Sequence, residues 1–220
     1  MDFLSFGYYI VEPVPTPVYF SLKSDCIISA SECICNFHPS LEGSFWLNHD
    51  EKQLEYQNKL KISDDTFKMM KAIVSDLYNG NRLDSDGRFA NYTDAVDFYR
   101  EYLNSLNGIK IIALALNSEF RDVLYDELGS YSNISSVLES PQLVGDFVGY
   151  EILGWDCGSF HSYLCNGFDK DISETYELVV NDFGTIQNSY AAVKEFVRCL
   201  EDKNGEPVVW LPFAIYECPA

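Results

Sequence analysis

Basic residues are scarce in this chain. Fifteen Lys and Arg stand against 34 Asp and Glu, and with its three histidines neutral the 220-residue sequence carries a formal charge of −19. A surface this negative repels nucleic-acid phosphates and anionic lipid, so neither is expected as a partner. Long apolar runs are missing too. No stretch of 18 apolar residues occurs, and no membrane-spanning helix is expected. The opening Met1-Asp2-Phe3-Leu4-Ser5 lacks the basic residues that begin a secretory signal, so the expected location is cytoplasmic. In that reducing compartment the seven cysteines (Cys26, Cys33, Cys35, Cys157, Cys165, Cys199 and Cys218) are expected as thiols, and their odd number argues against a disulfide framework. Catalytic signatures are also absent. The sequence has no G-x-G-x-x-G, Walker A, H-E-x-x-H or G-x-S-x-G pattern. No cofactor is expected, and the chain is not expected to be an enzyme.

What the sequence does contain is apolar mass. Hydrophobic residues make up 47 % and aromatic residues 15 %, enough for a sizeable core and too much for a disordered acidic tail. The length suits one domain, 1–220, with residues 1–20 as an extended arm stiffened by Pro13, Pro15 and Pro17. Residues 21–60 show little periodicity and read as short strands and loops. Ser63-Asp64-Asp65 places a hydroxyl cap and two carboxylates at the positive end of a helix over about 66–78, with Phe67, Met70, Ile73, Val74 and Leu77 on its inner face. A second helix over about 93–107 has Val96, Tyr99, Leu103 and Leu106 as its apolar stripe. Residues 109–116 form a short apolar run suited to a buried strand, and a third helix follows from Ser118 to about Leu128. Residues 129–143 read as a loop, 148–155 as a strand and 189–202 as a last helix. A final strand covers 207–217, in which Pro212 marks an edge or a bulge. Helices and strands mix without a βαβ repeat. The expected class is therefore α+β, a mixed or mostly antiparallel sheet packed with about four helices.

Three clusters bear on chemistry. Cys26, Cys33, Cys35 and His38 are zinc-ligand types within 13 residues, which offers a zinc-stabilised scaffold. Against this, C-x-C is not the usual knuckle spacing, and the apolar Ile28, Ile34 and Phe37 suit buried thiols in a strand. Cys157, His161 and Cys165 recur every fourth residue, so a thiol enzyme using Cys157 and His161 is an alternative, although such dyads are assembled in space and not by local spacing. Asp84-Ser85-Asp86-Gly87 resembles the middle of a calcium loop, but Arg82 and Thr93 fall where end carboxylates are required, so it reads as a turn.

The acidic residues themselves are unevenly placed. Residues 118–156 hold eight carboxylates against Arg121, and residues 166–185 hold five against Lys170, with tyrosines and tryptophan interleaved. Aromatic anchors ringed by charge suit a protein interface, whereas a solvated surface over an aromatic core is the plainer account. The interface account names Asp122, Asp126, Tyr150, Trp155, Asp156, His161, Asp169 and Asp171 as binding candidates, facing a basic protein partner.

Over residues 145–220 the chain resembles bacterial immunity proteins of polymorphic toxin systems. The segments that carry the resemblance are Gly149-Tyr150-Glu151-Ile152-Leu153-Gly154-Trp155-Asp156, Ser159-Phe160-His161-Ser162-Tyr163-Leu164-Cys165-Asn166 and Trp210-Leu211-Pro212-Phe213-Ala214-Ile215-Tyr216-Glu217. The resemblance implies a cytosolic antidote that binds a toxin effector, often a basic nuclease, and blocks it. It assigns no particular binding residues to this chain.

Overall fold

A computed structural model describes residues 2–18, 24–31, 54, 57–58, 60–84, 86–128, 143–156, 159–166, 175–201 and 208–220. Its centre is a five-stranded antiparallel sheet built from β1 (Phe3–Val11), β4 (Lys110–Asn117), β5 (Asp146–Asp156), β6 (Ser159–Ser162) and β7 (Trp210–Cys218), in the spatial order β1-β4-β7-β5-β6. A two-residue ladder pairs β2 (Val14–Pro15) with β3 (Cys26–Ile27). Among the described residues the α-helices with given bounds are α1 (Asp64–Asn79), α2 (Tyr92–Phe98), α3 (Arg121–Leu128) and α4 (Tyr190–Glu201), and residues 54, 57, 58 and 60 are also helical where strands and loops were expected. The α+β expectation holds.

The first half of the expected arm, Phe3–Val11, is an outer strand of the sheet, paired along its length with β4. Alternation in β1 and β4 sends side chains to opposite faces. Tyr9, Val11, Ile112 and Leu114 join one core with α3 and α4, while Tyr8, Ile10, Ile111 and Ala113 join a second core with α1 and α2. Strand β7 lies between β4 and β5, so Pro212 is not in an edge strand. Its position is tolerated because the β4 ladder ends at Leu116↔Phe213, leaving Pro212 paired on one side only, with Ile152.

The caps follow the sequence closely. Ser63 Oγ accepts the Thr66 N–H at 3.2 Å, and Asn91 Oδ1 accepts the Asp94 N–H at 3.0 Å. Asn117, not Ser118, caps the turn that leads into α3. The second predicted helix is split. After Phe98 the backbone loosens into a π-helical turn, Tyr99–Leu103.

The Asp84–Gly87 turn is closed by the Gly87 N–H on the Asp84 carbonyl at 3.2 Å. Its carboxylates face inward. Asp84 holds the buried Arg88 guanidinium through Nε at 2.6 Å, and Arg88 Nη1 also donates to the Phe6 carbonyl at 2.9 Å. Tyr9 donates its hydroxyl to Asp86 at 2.7 Å. Burial and the neighbouring Asp84 charge push Asp86 well above the carboxylate range. The second Asp86 oxygen, Oδ1, is buried without a hydrogen-bond partner among the described residues, so its burial is uncompensated on that side.

Candidate partner-docking groove

The helices that cover the second core do not close against each other. Between α1 and the α2–π segment runs a groove of about 440 Å³, lined among others by Met69, Ile73, Asp76, Asp97, Phe98 and Glu101. The helical period explains its floor. Phe67, Met70, Val74 and Leu77 face the core, and Met69 and Ile73, four residues apart, widen that stripe sideways. Met69 is 60 % exposed and Ile73 42 %, so Ile73 does not point inward as its place in the sequence stripe suggests.

Carboxylates form the rim. Asp76, Asp97 and Glu101 are exposed, and no described cation forms an ion pair with any of them. Asp97 and Glu101 are four residues apart on consecutive helical turns, an arrangement that costs a few tenths of a kcal/mol on a helix surface. The groove's one arginine is already engaged. Arg82 donates Nε to Asp94 Oδ2 at 2.8 Å and a second bond through Nη2, tying the end of α1 to α2. Exposed apolar groups and unbalanced like charges are both unfavourable for the isolated chain, and they coincide at a π-turn, a feature frequent at functional sites.

The candidates named from sequence do not converge. Asp122 and Asp126 are exposed on α3, across the sheet from the groove. Tyr150 and Trp155 are 9 % and 7 % exposed and belong to the core, so they are not surface anchors. Burial in an aromatic-rich interior produces the same sequence pattern as an interface. Asp156 ends β5 and His161 is half-buried on β6 opposite Gly154. Asp169 and Asp171 lie outside the described residues, as do Cys33, Cys35, His38 and Cys157. Cys26 is at β3, its thiol 3.6 Å from the Asp182 carbonyl. Burial raises the Cys26 thiol and pushes the Cys218 thiol up to about 12, so neither is a ready nucleophile.

Two acids in the 118–156 stretch are also spoken for. Glu119 receives the Tyr190 hydroxyl at 2.9 Å and is ion-paired with Lys194. Glu151 is buried at 3 % exposure. Burial lifts its carboxyl to about 7, against the lowering effect of the Ser29 and Ser162 hydroxyls and the Ala30 N–H. The adjoining cavity measures about 10 Å³, scarcely one water's room, and the bonds of this acid to Ser29 and Ala30 tie the 24–31 segment to the sheet.

The groove residues carried a sequence signal that composition alone conceals. Met69/Ile73 and Asp97/Glu101 are two i,i+4 pairs, one apolar and one acidic, on neighbouring helices. Comparison of the chain with protein-family models, with curated proteins and with solved structures finds no match.

Proposed function

We propose that this chain is a non-enzymatic binding protein that holds a basic protein partner, and that it acts as an antidote covering a toxin effector's active site. One observation carries the binding reading: a groove with exposed apolar walls whose rim carboxylates form no ion pair with any described cation. A partner that brings lysines or arginines supplies the missing charges while burying Met69 and Ile73. The net charge of −19 adds long-range steering, which speeds encounter with a basic protein and weakens as salt screens it. The antidote role rests on the resemblance over residues 145–220, and a cytoplasmic setting suits the unbridged thiols of Cys26, Cys199 and Cys218.

The test is affinity capture from lysate of the native host at low and at high salt, with retained proteins identified by mass spectrometry. The expected result is one basic protein, retained less at high salt, whose toxic activity falls on adding the chain. Retention of no basic protein at either salt overturns the binding reading. A captured protein whose activity is unaffected overturns the antidote role.

A further inference from the structure

Resting on that reading, we infer that the α1/α2 groove seats a cationic amphipathic α-helix of the partner. The argument begins with shape. The apolar wall on α1 runs from Met69 to Leu77, and eight residue-to-residue steps of 1.5 Å span about 12 Å, or roughly two helical turns. Its opposite wall is the α2–π segment, where Phe98 and Glu101 line the same space. Both walls are helical, so their backbone hydrogen bonds are largely used internally. A peptide that binds by adding a strand needs a free strand edge, and the helical walls of this groove offer none. A helix needs only side-chain contacts, and apolar residues at i, i+3 or i+4, and i+7 would reach down two turns of the floor.

Charge selects the helix further. Asp76 lies on one wall, and Asp97 and Glu101 on the other, so a seated helix has carboxylates on both flanks. Lysine or arginine on its two sides would extend over the rim while their methylene stems cover Met69 and Ile73. A second copy of this chain fits poorly. Its net charge is also −19, and the inner faces of α1 and α4 are already buried in its own core. An anionic membrane surface is repelled by the same rim.

The experiment uses the full chain and three synthetic fluorescent peptides, read by anisotropy at low salt. The first places Leu at helical period with Lys on both flanks. The second has the same composition with Leu and Lys alternating, so it is amphipathic only when extended. The third replaces Lys with Glu. The first should bind at least ten times more tightly than either control. Ile73→Asp and, separately, Glu101→Lys should each weaken it at least fivefold, while Asp122→Lys on the far face changes it less than twofold. Circular dichroism melting of each variant confirms folding, and because the two groove changes are at exposed positions of different helices, one misfolding leaves the other as the test. Equal binding of the first two peptides overturns the helix. Absence of binding, or weakening by Asp122→Lys equal to that by Glu101→Lys, overturns the groove. A basic protein captured by the chain but undisturbed by Ile73→Asp would overturn this inference and leave the broader binding reading standing.

Discussion

Phe6 and Phe160 sit on the two outermost strands of a five-stranded sheet, yet their rings meet edge to face with centroids 5.3 Å apart. Four inter-strand steps in a flat sheet would separate those strands by about 19 Å. The sheet is therefore strongly curled, and Phe213 on β7 completes the arrangement, 5.6 Å from Phe6 and 5.2 Å from Phe160. This closure makes one continuous core from residues 154 positions apart in sequence. A double-mutant cycle with Phe6→Leu and Phe160→Leu should show a coupling of about 0.5–1.5 kcal/mol in urea unfolding. Strict additivity would mean that the two edge strands do not meet.

Strand β1 carries an irregularity. Register shifts between Ser5 and Gly7, where the backbone takes φ +140°. A Cβ at Gly7 would lie 2.7 Å from the Arg88 side chain and 2.8 Å from the Phe89 carbonyl. Gly7→Ala should thus cost more than the ~1–3 kcal/mol typical of a strained backbone position, because the Phe89 backbone and the buried methylene stem of Arg88 both have to move. Gly108, at φ +83° with nothing within 4 Å, is the control. Gly108→Ala pays the left-handed cost alone, about 1–2 kcal/mol. Chemical denaturation of the two variants should rank Gly7→Ala as clearly the worse; equal losses would show that Arg88 is not fixed against β1.

Glu151 makes a prediction about pH. Its folded-state carboxyl titrates near 7, above the 4.5 of an exposed glutamate, because burial penalises the charged form. A raised acid binds its proton more tightly when folded. Its stabilisation is full below about pH 4.5 and is lost as the pH rises to about 7, a change of about 3 kcal/mol. Asp86 shifts in the same direction, and mutual repulsion of the surface carboxylates adds to the trend. Glu151→Gln isolates the one group, since an amide cannot ionise. Urea unfolding at pH 5 and pH 7.5 should show the wild type losing stability between the two and the variant losing distinctly less. Identical pH slopes would mean that Glu151 is solvated, and that its bonds to Ser29 and Ala30 do not anchor the 24–31 segment.

Much of the fold was legible in the sequence because it rests on local rules. The Ser63 cap, the apolar strand read at 109–116 and found at Lys110–Asn117, and the last helix, read at 189–202 and found at Tyr190–Glu201, depend on period and turn chemistry within a few residues. The π-turn after Phe98 and the one-sided pairing of Pro212 were not, because each is set by what packs alongside. The site was less legible still. Tyr150 and Trp155 looked like interface anchors because an aromatic residue beside an acid reads the same in a core as on a surface, and only the register of β5 decides which face it takes. Conversely, Ile73 looked like part of an ordinary inner stripe, and Met69, four residues before it, fell outside that stripe. A helix stripe wider than the core it covers is visible only once the neighbouring helix is in place.

The groove carries a cost that binding would relieve, and this can be measured without the partner. Asp97 and Glu101 repel each other across one helical turn, and no described cation pairs with either. Glu101→Lys turns that repulsion into an acid-before-base i,i+4 attraction, the favourable orientation, at a position exposed to water. The variant should gain about 0.4–1 kcal/mol, which for a chain of this size raises the melting temperature by about 1–4 °C. It should at the same time lose affinity for the partner, because its new ammonium group opposes the incoming cations. Gain of stability with loss of binding is the signature of a residue kept for recognition at the fold's expense. A fall in melting temperature would mean instead that Glu101 supports the π-turn, and the rim acid would then be structural. Calorimetry at low and high salt separates these outcomes, since an electrostatic gain shrinks as salt rises and a packing loss does not.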